Sequence, residues 1–370
     1  MASKDLPPRT EAFFPTIFYK TQFCEKHGGL PLGLTLLSKV AIVTGSNVGL
    51  GFESARQLLA LNLSHLILAV RSTEKGEQAA SQLRAQFPHA KIEVWKLDMC
   101  SYSSIQEFAF RVDADLTRLD IALLNAGLVK PSYTVVKETG HEETVQVVKL
   151  PFDGAPGTPP HPKPMHQATS WRTTRQTDDG QFRTLPRREA SFESQKARAA
   201  HSTIFRQQGE FQQHVMVQQL QNTHAFVPVE AVRYLHADDV IVNIVDPGYV
   251  KGTEGVSKMP KLTAMMAKSF AALTGRTVQV GASTYVDAVA VKGKESHCCF
   301  LTSWRIHPFA PFLYTPKGKT LIEKLWQETL AELKFAKPEA LLSEKSLRDA
   351  EAGHDGGFRD FIHPNVEDRE

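Results

Sequence analysis

The chain has 370 residues, 42% of them hydrophobic, which is enough apolar material to bury a sizeable core. Its 43 basic and 40 acidic residues nearly cancel and form no long block of like charge, so neither nucleic acid nor a membrane surface is implied as a partner. The four cysteines, Cys24, Cys100, Cys298 and Cys299, are too few and too scattered for a disulfide framework, which predicts a reducing, cytoplasmic setting.

Residues 1–36 read as an N-terminal extension. Lys4, Asp5, Arg9 and Glu11 interrupt it, so it does not resemble a secretory leader. Its Phe13, Phe14, Phe18 and Tyr19 are expected to anchor it on the main domain. Regular text begins at Lys39. Val40, Ala41, Ile42 and Val43 form a continuous apolar run, as in a strand buried on both faces. A helix over 50–61 follows, with Phe52, Ala55, Leu58 and Leu59 on one face. A second strand covers 65–70, a polar helix 73–87, and a third strand 91–97 with Ile92, Val94 and Leu97. Ser101 is placed to cap a helix reaching Val112, and a fourth strand covers 119–124. Strands alternating with helices in this way predict right-handed crossovers and a doubly wound parallel sheet over 37–148.

The pattern then collapses. From Lys149 to Arg233 there are three leucines, Leu150, Leu185 and Leu220, and neither helical nor strand periodicity is sustained. Text so polar cannot bury enough apolar surface to offset its ordering entropy, so 149–236 is expected to be irregular and poorly packed. Order returns over 237–335, with a buried strand over 239–245, helical text over 282–289, a short strand over 297–304 and an amphipathic helix over 319–335. The tail 336–370 is polar. No apolar run approaches the ~20 residues that span a bilayer. No histidine pair has HExxH spacing, and no metal site is predicted.

Chemistry is written at the strand ends. The first strand runs into Gly45, Ser46, Asn47, Val48, Gly49, Leu50 and Gly51, just before the first helix. Glycines there allow a tight turn and let backbone amides approach a pyrophosphate, which the helix N-terminus favours. With the preceding Thr44, the spacing is TGxxxGxG, and on it the chain resembles the short-chain dehydrogenase/reductase family. Further matches are Asp98 after the third strand, the triplet Asn125, Ala126 and Gly127 after the fourth, and Pro247 and Gly248 after the later strand. Thr253 falls where the family often has a pyrophosphate-contacting threonine. The likeness covers 38–148 and 237–335. The wording around Arg71, Lys294 to His297 and Trp304 is similar to fungal members acting on secondary metabolites. The resemblance implies a Rossmann α/β fold in one domain. It also implies that Asp98 contacts the adenine and that Pro247 and Gly248 lie beside the nicotinamide. The second strand ends in Arg71 rather than an acidic residue. Arg71 suits a 2′-phosphate, which predicts NADP rather than NAD.

The family's catalysis implies a serine on the fifth strand and a YxxxK on the next helix. One YxxxK exists here, from Tyr133 to Lys137, but six residues after Gly127 it precedes any fifth strand and is read as coincidence. The pair belongs near 215–225, where the chain reads Val217, Gln218, Gln219, Leu220, Gln221. Read one base later, any codons for Gln218 and Gln219 give Asn or Ser, Gln221 with Asn222 gives Lys or Arg, and Val217 permits Tyr. A YxxxK is thus permitted in its expected place. The same shift permits a leucine-rich helix over 149–160, where proline codons become leucine codons. The expectation is that 149–233 is translated out of frame, replacing the fifth strand and its flanking helices; no catalytic residue is assigned within the chain as it stands.

The gene is therefore expected to encode an NADP-dependent oxidoreductase. Its substrate would be a small, lipophilic carbonyl or secondary alcohol, in a secondary-metabolite or mycotoxin pathway. The family implies a possible homo-oligomer. The rival expectation is an NADP-binding pseudoenzyme, or the product of a damaged gene.

Overall fold

The computed structural model describes residues 3–11, 13–25, 29–128, 133–143, 146–147, 237, 240–251 and 269–334. The segment 149–236, the tail 336–370 and Thr253, each the subject of an expectation above, lie outside the described residues.

Four parallel strands build the first sheet: β1 (Val40–Thr44), β2 (His65–Val70), β3 (Lys91–Lys96) and β4 (Ile121–Leu123), in the order β3-β2-β1-β4. The apolar run of β1 sends alternate residues to opposite faces, and both faces are covered. Ala41, Val43, Leu66 and Leu68 pack on one face against Ala55, Leu58 and Leu59 of α1 (Gly49–Ala60) and Ala79, Ala80 and Leu83 of α2 (Thr73–Gln86). Ile42, Ile67, Ala69 and Trp95 face the other way, onto Ile105, Phe108 and Val112 of α3 (Tyr102–Asp115). Helices on both faces of a parallel sheet make this a Rossmann-type α/β fold, as the periodicity predicts.

The second sheet pairs β5 (Asn243–Asp246) parallel with β6 (Cys299–Thr302), and β6 antiparallel with β7 (Arg305–His307). Helix α4 (Val278–Ala290) joins the two sheets. Its Val286 enters the α1–α2 core cluster, while Asn243 of β5 donates from Nδ2 to Ala288 O at 3.1 Å. Helix α5 (Pro316–Glu332) covers β5 with Ile322 and Leu325. Among the described residues β4 pairs with β1 alone and β5 with β6 alone.

Several elements differ from expectation at their ends, each for a local reason. The fourth strand starts only at Ile121, because Asp120 spends its carboxylate on Val40 N at 3.0 Å. The strand expected from 239 is regular from Asn243, and Val242 gives its N–H to His297 Nδ1 at 3.3 Å. The stretch 297–304 holds a strand of four residues. Ser303 and Trp304 then take φ of 52° and 62° and turn the chain into β7, a hairpin the sequence did not announce. Ser101 caps α3 as expected, accepting from Ser104 N. Thr277 and Thr315 cap α4 and α5 and start them earlier than their periodicity suggests, the latter with Pro316 at the first helical position.

The extension packs as expected through Phe18, whose ring lies 6.3 Å from that of Tyr249 and 6.0 Å from that of Phe270. Tyr19 corrects the expectation: it is 61% exposed, since the next residue along a helical turn points to a different side. The side chains of Phe13 and Phe14 lie outside the description.

One charged cluster gives the sheet a pH signature. Glu93 of β3 meets His65 Nε2 at 2.7 Å, Lys91 Nζ at 2.5 Å and Trp95 Nε1 at 3.3 Å. Burial disfavours its charge, but the hydrogen bonds from Lys91, Trp95 and His65 outweigh that and hold its carboxyl down from 4.5 to about 2. A depressed carboxylate stabilises the fold above its unfolded pKa, and the contribution is lost as pH falls through the folded value. Glu93→Gln should therefore lower unfolding free energy by about 1–2 kcal/mol at pH 7. The difference should vanish between pH 4.5 and 2, which denaturant melts of both proteins would reveal.

Candidate functional site

The site begins where β1 ends. Gly45 and Gly49 have φ of 63° and 62°, left-handed values that glycine adopts without strain. Gly45 sits so close to the end of β4 that a Cβ on it would lie 3.0 Å from Ala126 Cα. Gly51, in the first turn of α1, has no room either: a Cβ there would lie 2.5 Å from Asn125 Nδ2 and 2.6 Å from Gly45 O. The turn is thus folded tightly against the end of β4.

Helix α1 starts differently from the other four. Ser72, Ser101, Thr277 and Thr315 each supply a side-chain oxygen to the first turn of α2, α3, α4 and α5. The N-cap of α1 is Val48, which has no such group, and no acidic residue occupies its first turn. The amides of Gly49, Leu50 and Gly51 are left without a side-chain acceptor at the positive end of the helix dipole, the arrangement that receives a phosphate. Ser46 does not compete for that role. It is fully buried, and its hydroxyl donates to Val43 O at 2.8 Å, tying the turn to the strand. Asn47, half-buried, completes the turn.

Strand ends wall the site. Asn125 Nδ2 donates to Thr44 O at 3.1 Å and to Gly45 O at 3.3 Å, while Ala126 N donates to Thr44 Oγ1 at 2.9 Å. Asn125 and Ala126 therefore set the glycine turn, and Gly127 follows them, exposed. Asp98, just past β3, accepts Cys100 N on Oδ1 at 3.0 Å, and its own N–H donates to Ser104 Oγ, fixing the entry to α3. Arg71, just past β2, is exposed.

The loop after β5 carries the predicted Pro247 and Gly248. Gly248 has φ of 76°, and its N–H donates to Asp246 Oδ1 at 3.0 Å. Burial pushes the Asp246 carboxyl up, against the pull of the Gly248 amide, the Arg276 charge and the Thr302 hydroxyl. Arg276 Nη1 donates to Pro247 O at 3.2 Å. Gln22 Nε2 donates to Tyr249 O at 2.8 Å. Sequence reasoning read Thr44 as the start of the motif without foreseeing that its hydroxyl accepts Ala126 N, and it missed Gln22 and Arg276, which carry no local signal.

Tyr133 and Lys137 are both exposed and lie on an irregular stretch that turns back through the bridge between Val135 and Glu142. No helix places them one turn apart.

The parallel sheet, the glycine turn and the uncapped helix define a dinucleotide-binding α/β protein. A family model described as short chain dehydrogenase matches residues 39–155. A short chain dehydrogenase/reductase of Annulohypoxylon moriforme, mfmJ, is 45% identical over 91% of this chain and 96% of its own. A short chain dehydrogenase of Hypocrea virens, virL, is 39% identical over 83% of this chain and 88% of its own. Among solved structures, a metagenomic short-chain oxidoreductase in complex with NADP is 31% identical, covering 25% of this chain and 40% of that one at a TM-score of 0.23. The chain belongs to the short-chain dehydrogenase/reductase family, a family of oxidoreductases that use a nicotinamide dinucleotide. No helix among the described residues is long and apolar enough to cross a membrane.

Proposed function

We propose that the gene encodes an NADP-dependent reductase or dehydrogenase acting on a carbonyl or secondary alcohol of a small, lipophilic secondary metabolite. The observation that carries the cofactor is the glycine turn backed by Asn125, opening on the uncapped first turn of α1. The amides of Gly49, Leu50 and Gly51 would receive the pyrophosphate. Asp98 would face the adenine, and Pro247 and Gly248 the nicotinamide, with Thr253 on the pyrophosphate. When bound, the dinucleotide supplies or accepts the hydride. The fungal relatives support the metabolite class.

Arg71 decides which dinucleotide. It stands exposed at the end of β2, where a guanidinium can pair with a 2′-phosphate and an acidic residue would repel it. Arg71→Asp should weaken NADPH binding about tenfold to a hundredfold and leave NADH binding within about threefold. Titration of reduced-cofactor fluorescence measures both. Equal losses for the two cofactors would sink the NADP assignment.

The catalytic Tyr–Lys pair is proposed to lie in the alternative frame of 149–233. The family match supports this by ending at residue 155, close to where the apolar pattern stops.

A further inference from the structure

We propose that the N-terminal segment is a clamp on the 247–249 loop, with Gln22 and Arg276 as positioning residues for the nicotinamide end of the cofactor. The inference rests on the cofactor reading above.

Gln22 is 9% exposed and spends its amide on two backbone segments far away in sequence. Its Nε2 donates to Tyr249 O at 2.8 Å and Thr274 O at 2.7 Å, and its Oε1 accepts Tyr249 N at 3.2 Å. Arg276 closes the clamp from the other side. Besides Pro247 O, its guanidinium reaches Ser303 Oγ at 2.7 Å and the carbonyl of Thr21, one residue before Gln22. The extension is itself held at several points. Phe300 N donates to Ser3 Oγ at 2.8 Å, Tyr314 hydroxyl donates to Ser3 O at 2.8 Å, and Arg9 Nη2 meets His307 Nδ1 at 2.5 Å.

The consequence falls on Gly248. A glycine with φ of 76° could sample other backbone angles when its neighbours are free. Here a Cβ on Gly248 would lie 3.0 Å from both Gln22 Oε1 and Arg276 Nη1, so the two side chains close around it and leave no slack. Pro247 O, Gly248 N and both backbone groups of Tyr249 are bonded before any ligand arrives, which reduces the ordering cost of binding there. The glycine turn is held by Asn125 and owes nothing to the extension.

That separation gives a selective test with the full chain. NADPH would reach both the turn and the loop, whereas adenosine 2′,5′-bisphosphate carries the adenosine and 2′-phosphate without nicotinamide. Gln22→Met keeps the volume and removes the hydrogen bonds. It should weaken NADPH about tenfold and leave the bisphosphate within about twofold, by calorimetry. Phe18→Ala, which loosens the same loop through its rings without unpairing a carbonyl, should show the same selectivity and decides the matter if Gln22→Met does not fold. Equal losses for both ligands would mean a merely structural role and overturn the proposal, as would no loss for either. If the unsubstituted protein binds neither ligand, the cofactor reading itself falls and takes the clamp's role with it.

Discussion

Gly51→Ala is expected to weaken NADPH binding by about a hundredfold and to lower the melting temperature by only about a few degrees. The added methyl would stand 2.5 Å from Asn125 Nδ2 and 2.6 Å from Gly45 O. The amide of Asn125 is the end of a side chain and can swing aside, although it then drops its bonds to Thr44 O and Gly45 O. The carbonyl of Gly45 is backbone and cannot move without shifting the turn. A shift of a few tenths of an ångström misplaces several amides at once relative to one pyrophosphate, and charge-assisted hydrogen bonds are steep in distance. The core of β1 and α1 is untouched, since Gly51 packs on the turn and Ala55 and Leu58 on the sheet. Fluorescence titration and a thermal melt of the same sample separate the two effects. Affinity within threefold of the parent would mean that this turn does not carry the phosphates.

A second large effect concerns the segment between the two sheets. Sequencing the transcript across codons 145 to 240 should show a frame one base out of step with 149–233. Protein made from the corrected frame should oxidise NADPH with small carbonyl substrates at least about 10²-fold to 10⁴-fold faster than the chain as given, the range that a positioned acid–base pair contributes. A transcript matching Lys149 to Arg233 as written would end the frame argument and leave a binding protein or an inactive product. NADPH affinity measured on both proteins tells a chain that lacks only catalysis from one that lacks the site.

Much of the architecture was legible because its signals are local. Ala41, Ile42 and Val43 announce a strand buried on both sides, and the spacing of Gly45, Gly49 and Gly51 announces the turn, since both depend on a few adjacent residues. Asn125 was legible by its place after β4, but its job of bracing the turn from Nδ2 was not, because that depends on a partner 81 residues away. The hydroxyl of Ser46 could have faced a phosphate as easily as Val43 O; its direction is set by burial, which spelling does not encode. The hairpin into β7 was hidden because its turn is made by Ser303 and Trp304, and tryptophan is no turn former. Gln22 and Arg276 look like ordinary surface polar residues until the chain folds.

The contact between Gln22 and Tyr249 joins residues 227 apart. During synthesis at 5–20 residues per second, the extension would emerge about 10 to 45 seconds before its partner exists. Through that interval Phe18 has no Tyr249 and no Phe270 to cover it, while β1 to β4 can already assemble. The β1–β4 sheet is thus built early and from neighbours. The loop at Pro247–Tyr249 waits for the last third of the chain and is bonded by its first twenty-five residues.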